Sequence, residues 1–384
     1  MSRLAKTQGR RWILIAPSRI IGADSINLFF LESTMQRSHV CRTIGVILLG
    51  LVFLGSQDRS LSQQQKNDIV PKGAKLELLF DGGLVLTEGC AVAPDGTVYF
   101  SDITFSHVAK DKRGFIEAGH IWKFDPATKK ATIFRSPSGM SNGIKFDAEG
   151  NMIVAEGADF GGRRVIKTDM KTGRSWIIAH SFEGRRLNSP NDITIDVKGR
   201  IYFSDPRYLG HEAIDQPVQA VYRIDTDGSL SRIITDAGKP NGVCISPDQK
   251  TLYVVSNDNG QWGIERMPKD APARKGLMAL LAYDLAPDGS AKFRKILVNY
   301  APQDGPDGLV VDKEGNIYVA VRDETRPGIC VYSPEGKELA YIKTEVPTNV
   351  SFGRGVDASV LYITAGKSLY RIRLSKEGYQ LPSK

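Results

Sequence analysis

The chain has 384 residues, 41% of them apolar and 24% charged, which describes an ordinary globular protein and excludes a disordered or fibrous one. The formal net charge of +8 is concentrated at the start: residues 1–70 hold 9 Lys/Arg against 4 Asp/Glu, leaving 42 against 39 in the remainder. The main body is near neutral and has no basic stripe with interleaved aromatics, so no nucleic-acid partner is expected.

Residues 1–34 read as an N-terminal extension or the product of a misplaced start. From Met35 the chain runs "MQRSHVCRTIGVILLGLVFLGSQDRS", with two arginines, an apolar run from Thr43 to Gly55 and then small polar residues. Over 35–57 this has the shape of a secretory signal. The apolar run is 13 residues, short of the roughly 20 that span a bilayer. A secreted or periplasmic protein is therefore expected, with 58–74 as a linker and no membrane contact for the mature domain. An uncleaved membrane-associated helix is the alternative. Cys41, Cys90, Cys244 and Cys330 are scattered and form no Cys-x-x-Cys. They read as free thiols, buried in the body, rather than a disulfide framework or a zinc site.

The propeller region is expected from 75 to 384. It opens with "KLELLF" (75–80), an isolated strand, and then a strand–turn–strand unit recurs six times. The copies are "CAVAPDGTVYFSD" (90–102), "IKFDAEGNMIVAE" (144–156), "ITIDVKGRIYFSD" (193–205), "VCISPDQKTLYVVSN" (243–257), "LVVDKEGNIYVAV" (309–321) and, weaker, "VSFGRGVDASVLYITA" (350–365). Gly96, Gly150 and Gly199 fall 54 and 49 residues apart, in Asp-Gly or Asp-x-x-Gly turns suited to hairpins. Second hairpins follow, as in "HIWKFDPATKKATIF" (120–134) and "AVYRIDTDGSLSRII" (220–234). Four short strands per unit of about 50 residues, without long amphipathic helices, predict an all-β, six-bladed β-propeller. The strand at 75–80 is expected to complete the last blade. A parallel β-helix is the rival, but its coils are shorter and lack Asp-Gly hairpins.

The first strand of each blade lines the central channel, so the residue at its mouth faces the axis. Across the six units that residue is Glu88, Asn142, Asn191, Asn241, Asp307 and Asn349. Four amides and two carboxylates around one axis predict a central metal site. Convergent oxygens suit Ca²⁺, and Mg²⁺ less well, because Mg²⁺ keeps more of its waters. No histidine stands at these positions, which argues against zinc or iron. The plainer reading is that Asn and Asp before Gly are turn formers.

The connections between second and third strands leave from the same face as this ring. They are the long ones, 102–119, 205–219 and 257–279, so a pocket is expected there. Trp262, in the longest of the three, is a candidate apolar wall.

The "EG" at Glu88, "RLNSPNDITI…GRIYFSDPRY" (186–208), "KPNGVCISPDQKTLYV" (239–254) and "GPDGLVVDKEGNIYVA" (305–320) resemble the gluconolactonase family, also called the senescence-marker-protein or regucalcin family. The resemblance spans about 85–370. It implies a six-bladed propeller holding one Ca²⁺ through Glu88, Asn191, Asn241 and Asp307, with other divalent cations as the alternative. It also implies Ca²⁺-dependent hydrolysis of a small sugar lactone by a monomer, with Asp307 as acid/base. Two departures bear on the substrate: Cys90 replaces a proline of the family's first block, and Ser189 stands where animal members place a sugar-contacting arginine.

As a mechanism, the ion polarises the lactone carbonyl while Asp307 takes a proton from the attacking water and returns it to the ring oxygen. Direct attack by Asp307 is the other chemistry. Asn142, Asn191 and Arg163 are the candidate substrate contacts. A non-catalytic propeller that binds protein or glycan, and a phosphotriesterase-like hydrolase on the same metal site, are the competing functions.

Overall fold

The computed structural model describes residues 69–260 and 275–382. The extension, the expected signal at 35–57, most of the expected linker and Trp262 lie outside the described residues.

The described chain forms six four-stranded antiparallel sheets and one short hairpin, Ser181–Phe182 with Arg185–Arg186. Each sheet is a blade, and the innermost strands are Leu86–Val92, Ser141–Phe146, Ile193–Ile195, Pro240–Ile245, Leu309–Val311 and Pro347–Phe352. The outermost strand of the sixth blade is Glu77–Phe80, which pairs antiparallel with Ser368–Arg373. The N-terminal strand thus closes the ring, as the isolated "KLELLF" predicts. Ile69 is already buried, packed with Phe352, Ile372 and Leu374. One short 3₁₀ turn, Gly355–Asp357, interrupts the β structure. No described helix is long and apolar enough to cross a membrane.

The inner hairpins show why the repeat unit folds as it does. Asp196 Oδ1 accepts from the backbone N–H groups of Lys198 and Arg200, both at 2.9 Å. Gly199 supplies the positive φ of +85° that the turn demands. Asp312 repeats the arrangement with Glu314, Asn316 and Gly315. The second strands then bury a tyrosine at the same place in five blades: Tyr99, Tyr202, Tyr253, Tyr318 and Tyr362. Tyr202 and Tyr318 pack their rings between blades and donate their hydroxyls back to the hairpin aspartates Asp196 and Asp312.

Six apolar clusters, one per pair of neighbouring blades, hold the ring together. Between blades two and three, for example, Ile153, Ala155 and Val165 meet Ile193, Phe203 and Tyr222. Each fully buried Ile, Val or Phe side chain among these contributes about 1.5–3 kcal/mol. Cys90, Cys244 and Cys330 are buried free thiols within these layers.

At one mouth of the channel the C-terminal segment folds across the inner strands. Tyr379 N–H donates to Val311 O at 3.0 Å and Gln380 Nε2 to Phe352 O at 2.9 Å. The working cavity lies at the other mouth.

Candidate metal and active site

The ring residues sit where the inner ladder breaks. Pairing with the second strand is interrupted between Thr87 and Cys90, between Ser141 and Ile144, and between Pro240 and Val243. Each interruption carries the ring dipeptide, Glu88-Gly89, Asn142-Gly143 or Asn241-Gly242. A bulge re-aims a side chain out of the sheet plane, here toward the axis.

The glycines explain themselves by proximity. A Cβ on Gly89 would lie 2.0 Å from Asn142 O, one on Gly143 2.7 Å from Asn191 O, and one on Gly242 2.4 Å from Asp307 O. None of these three glycines has positive φ. They are needed for close approach of neighbouring inner strands, so the turn-former reading of these dipeptides fails.

A cavity of about 410 Å³ opens on this ring, and Glu88, Asn142, Asn191, Asn241 and Asp307 all line it. Its walls come from the connections between second and third strands, through Phe105, His107, Ala158, Tyr208 and Asn259. Three of those connections are tied together. The Asp159 carboxylate accepts from Ser106 N at 2.8 Å and Oγ at 2.7 Å, and Glu212 accepts from Phe160 N at 2.8 Å. The buried Arg207 donates to Glu212 O and Asn188 O, each at 2.9 Å. The wall over blades one to three is thus pre-formed.

Two expected positions are placed elsewhere. Asn349 does not line the cavity: its Oδ1 accepts from Val350 N at 2.9 Å and its amide bonds Asp192, beneath the ring. Arg163 is not brought to the cavity either. It is buried, with Nε donating to Leu187 O at 2.8 Å and Nη2 to Asp215 at 2.8 Å, so its charge and donors serve the loop. Arg164 pairs with Glu156 at 2.6 Å.

Three residues that the sequence reading did not assign, Tyr208, Asn257 and Arg322, line the cavity, and Asp192 is buried next to the ring. Asp192 is buried and accepts from Val243 N at 3.2 Å. It stands where four other blades have glycine after the ring residue, and that exception was legible. Tyr208 lines the cavity and donates its hydroxyl to Asn257 O at 3.1 Å. Asn257 and Arg322, each four residues after the buried second-strand tyrosine of its blade (Tyr253 and Tyr318), line it as well. Arg322 Nη1 donates to Asp307 Oδ2 at 2.9 Å and brings a cationic partner to the ring.

The electrostatics favour a cation. Burial raises the pKa of Glu88 well above the ordinary range, and Asp307 and Asp192 raise it further. Burial pushes Asp307 up to about 6, against the pull of Arg322. Three carboxylates in one buried space resist joint ionisation. Glu88 Oε2, Asn241 Oδ1 and Asn257 Oδ1 are buried with no hydrogen-bond donor, and all three residues line the cavity. Unpartnered carboxylate and amide oxygens are what a hard divalent cation satisfies, so this donor set fits Ca²⁺. Among the described residues no three His, Cys, Asp or Glu side chains are placed to hold a metal ion by themselves, so amide oxygens would complete the set.

Residues 86–367 match the family model described as the SMP-30/Gluconolactonase/LRE-like region. The chain belongs to this family. Members similar to it include a gluconolactonase from Zymomonas mobilis, 30% identical over 254 residues, 64% of this chain and 65% of that protein. A lactonohydrolase from Aspergillus oryzae is 29% identical over 55% of this chain and 50% of its own. The alignments thus span half to just under two thirds of these relatives' lengths. Among solved structures, a gluconolactonase from Xanthomonas campestris superposes with a TM-score of 0.61 at 26% identity, covering 78% of this chain and 89% of that one. A regucalcin from Agrobacterium tumefaciens shares the fold, with a TM-score of 0.60 at 18% identity over 81% of this chain and 97% of its own. The four positions that the family resemblance marks as ligands, Glu88, Asn191, Asn241 and Asp307, all line the one cavity.

Proposed function

We propose that this family member is a lactonase that opens a small lactone by hydrolysis. The observation that carries the reading is the convergence, in one cavity, of Asp307 with the unpartnered oxygens of Glu88 and Asn241. The relatives named gluconolactonase, lactonohydrolase and pentonolactonase support the substrate class.

Glu88, Asn191, Asn241 and Asp307 would hold Ca²⁺. The ion, when bound, supplies Lewis-acid polarisation of the lactone carbonyl. Asp307 accepts hydrogen bonds from Arg322 and from the Asn241 amide, which fixes its orientation in the cavity. Its carboxylate takes a proton from the attacking water as the C–O bond forms. It then gives that proton to the ring oxygen as the ring C–O bond breaks, leaving a hydroxy acid. Asn142 and Asn191 line the same cavity as amide partners for substrate hydroxyls. The tied wall over blades one to three presents Phe105 and Tyr208 to the substrate.

D-glucono-1,5-lactone hydrolysis, measured with Ca²⁺ and after chelation in wild type and Asp307→Ala, tests the proposal. Fast hydrolysis only in the calcium-loaded wild type supports it. Equal low rates in all four samples with every lactone tried would favour a binding propeller. Residues 35–57 are read as an export signal, and the N-terminal sequence of the protein recovered from the cells and from their medium checks that assignment.

A further inference from the structure

The second strand of each blade runs toward the cavity mouth, and the residue four positions after its buried tyrosine (Ile153 stands at that place in blade two) differs between blades. It is Ile103, Gly157, Pro206, Asn257, Arg322 and Gly366. Four of these, Ile103, Gly157, Asn257 and Arg322, line the cavity, and only Arg322 is charged. Among the described residues that line the cavity it is also the one lysine or arginine.

We propose that Arg322 is the anion-contacting residue of the site, binding the carboxylate of the ring-opened hydroxy acid and the oxyanion that precedes it. The inference rests on the lactonase reading for the identity of the anion, and on this chain's geometry for the contact. Arg322 lines the cavity together with Asp307, and its side chain is 28% exposed. Its Nη1 is held by Asp307 Oδ2 at 2.9 Å, which fixes the guanidinium plane beside the ring. A guanidinium presents five donors in a rigid fork, so one bond to Asp307 leaves a further edge for a second carboxylate.

Charge balance points the same way. Glu88, Asp192 and Asp307 are the buried acids of the axis, and Lys145 interacts with Asp192 from the side of the opposite mouth. Lys145 offsets Asp192 and a divalent ion would offset Glu88 and Asp307, so Arg322 is left as one net positive charge. A monoanion cancels it, whereas a neutral lactone does not. The site is therefore complementary to charge that appears only as the carbonyl is attacked.

Calorimetric titration of D-gluconate and acetate into calcium-loaded wild type, Arg322→Lys and Arg322→Met tests this without turnover. Calcium affinity is measured on the same proteins by chelator competition. The expected result is carboxylate binding at least tenfold weaker in Arg322→Met and partly restored in Arg322→Lys, with calcium affinity unchanged or tighter. Equal carboxylate affinity in wild type and Arg322→Met, no binding of either probe to wild type, or parallel loss of calcium and carboxylate binding would overturn it. A wild type that hydrolyses no lactone yet binds gluconate through Arg322 would sink the lactonase reading alone.

Discussion

Gly89 and Asn142 approach so closely that a Cβ on the glycine would lie 2.0 Å from the asparagine's carbonyl oxygen. The innermost strands of blades one and two therefore meet backbone to backbone, and the ring can close to the width of an ion site. Gly89→Ala must push them apart. The expected cost is about 3 kcal/mol, as for overpacking a rigid core. Gly96→Ala is the comparison: its Cβ meets nothing within 4 Å, but φ is +87°, so about 1 kcal/mol is expected. Urea unfolding midpoints rank the two variants, and equal midpoints would refute the close-approach account.

Glu88→Gln separates ion binding from folding. Burial and two neighbouring acids oppose ionisation of Glu88 in the ion-free protein. Replacing it with an amide should leave the calcium-free melting temperature unchanged or higher. Calcium affinity should fall at least tenfold, about 1.4 kcal/mol, and the calcium-induced rise in melting temperature should shrink accordingly. An undiminished calcium response would remove Glu88 from the ligand set.

Asp205 gives the fold a pH dependence away from the ring. It is fully buried, and its oxygens accept from Asn188 N at 2.8 Å and Ser189 N at 2.7 Å. Burial nonetheless raises its carboxyl to about 7. Between about pH 4 and pH 7 the folded protein keeps a proton that the unfolded chain has released. Stability from this group falls as pH rises through that window and is flat above it. Wild type should lose stability relative to Asp205→Asn between these limits, by up to about 1.4 kcal/mol per pH unit. Urea midpoints that run parallel with pH for the two proteins would contradict this.

Arg163 is expected to matter for stability and not for substrate. Its Nε and Nη2 hold Leu187 O and Asp215, with φ at +51°. Arg163→Ala leaves buried acceptors unsatisfied, at a cost of about 2 kcal/mol or more. At a temperature where the variant stays folded, its KM for a lactone should match wild type. A selective rise in KM would return Arg163 to the substrate pocket.

The period of the blades, their hairpin chemistry and the closing strand were all legible in the chain. So were five of the six axial positions in the cavity. Each of those features is local: an Asp-x-x-Gly turn, an alternating strand or a residue at a fixed offset from a glycine. The equivalence of the blades then carries the local reading around the ring.

What the chain could not reveal depends on neighbours brought in from other blades. Asn349 faces Asp192, some 150 residues earlier in the chain, and so leaves the cavity. Arg163 is captured by Asp215, in the next blade's loop. Arg322 reaches Asp307 only because the second strand of its blade returns beside the first. Sequence determined which side chains arrive at the axis, since strand periodicity and turn geometry are properties of short segments. Only the closed ring decided how those side chains pair once there, since partner choice is set by distances between segments that packing alone brings together.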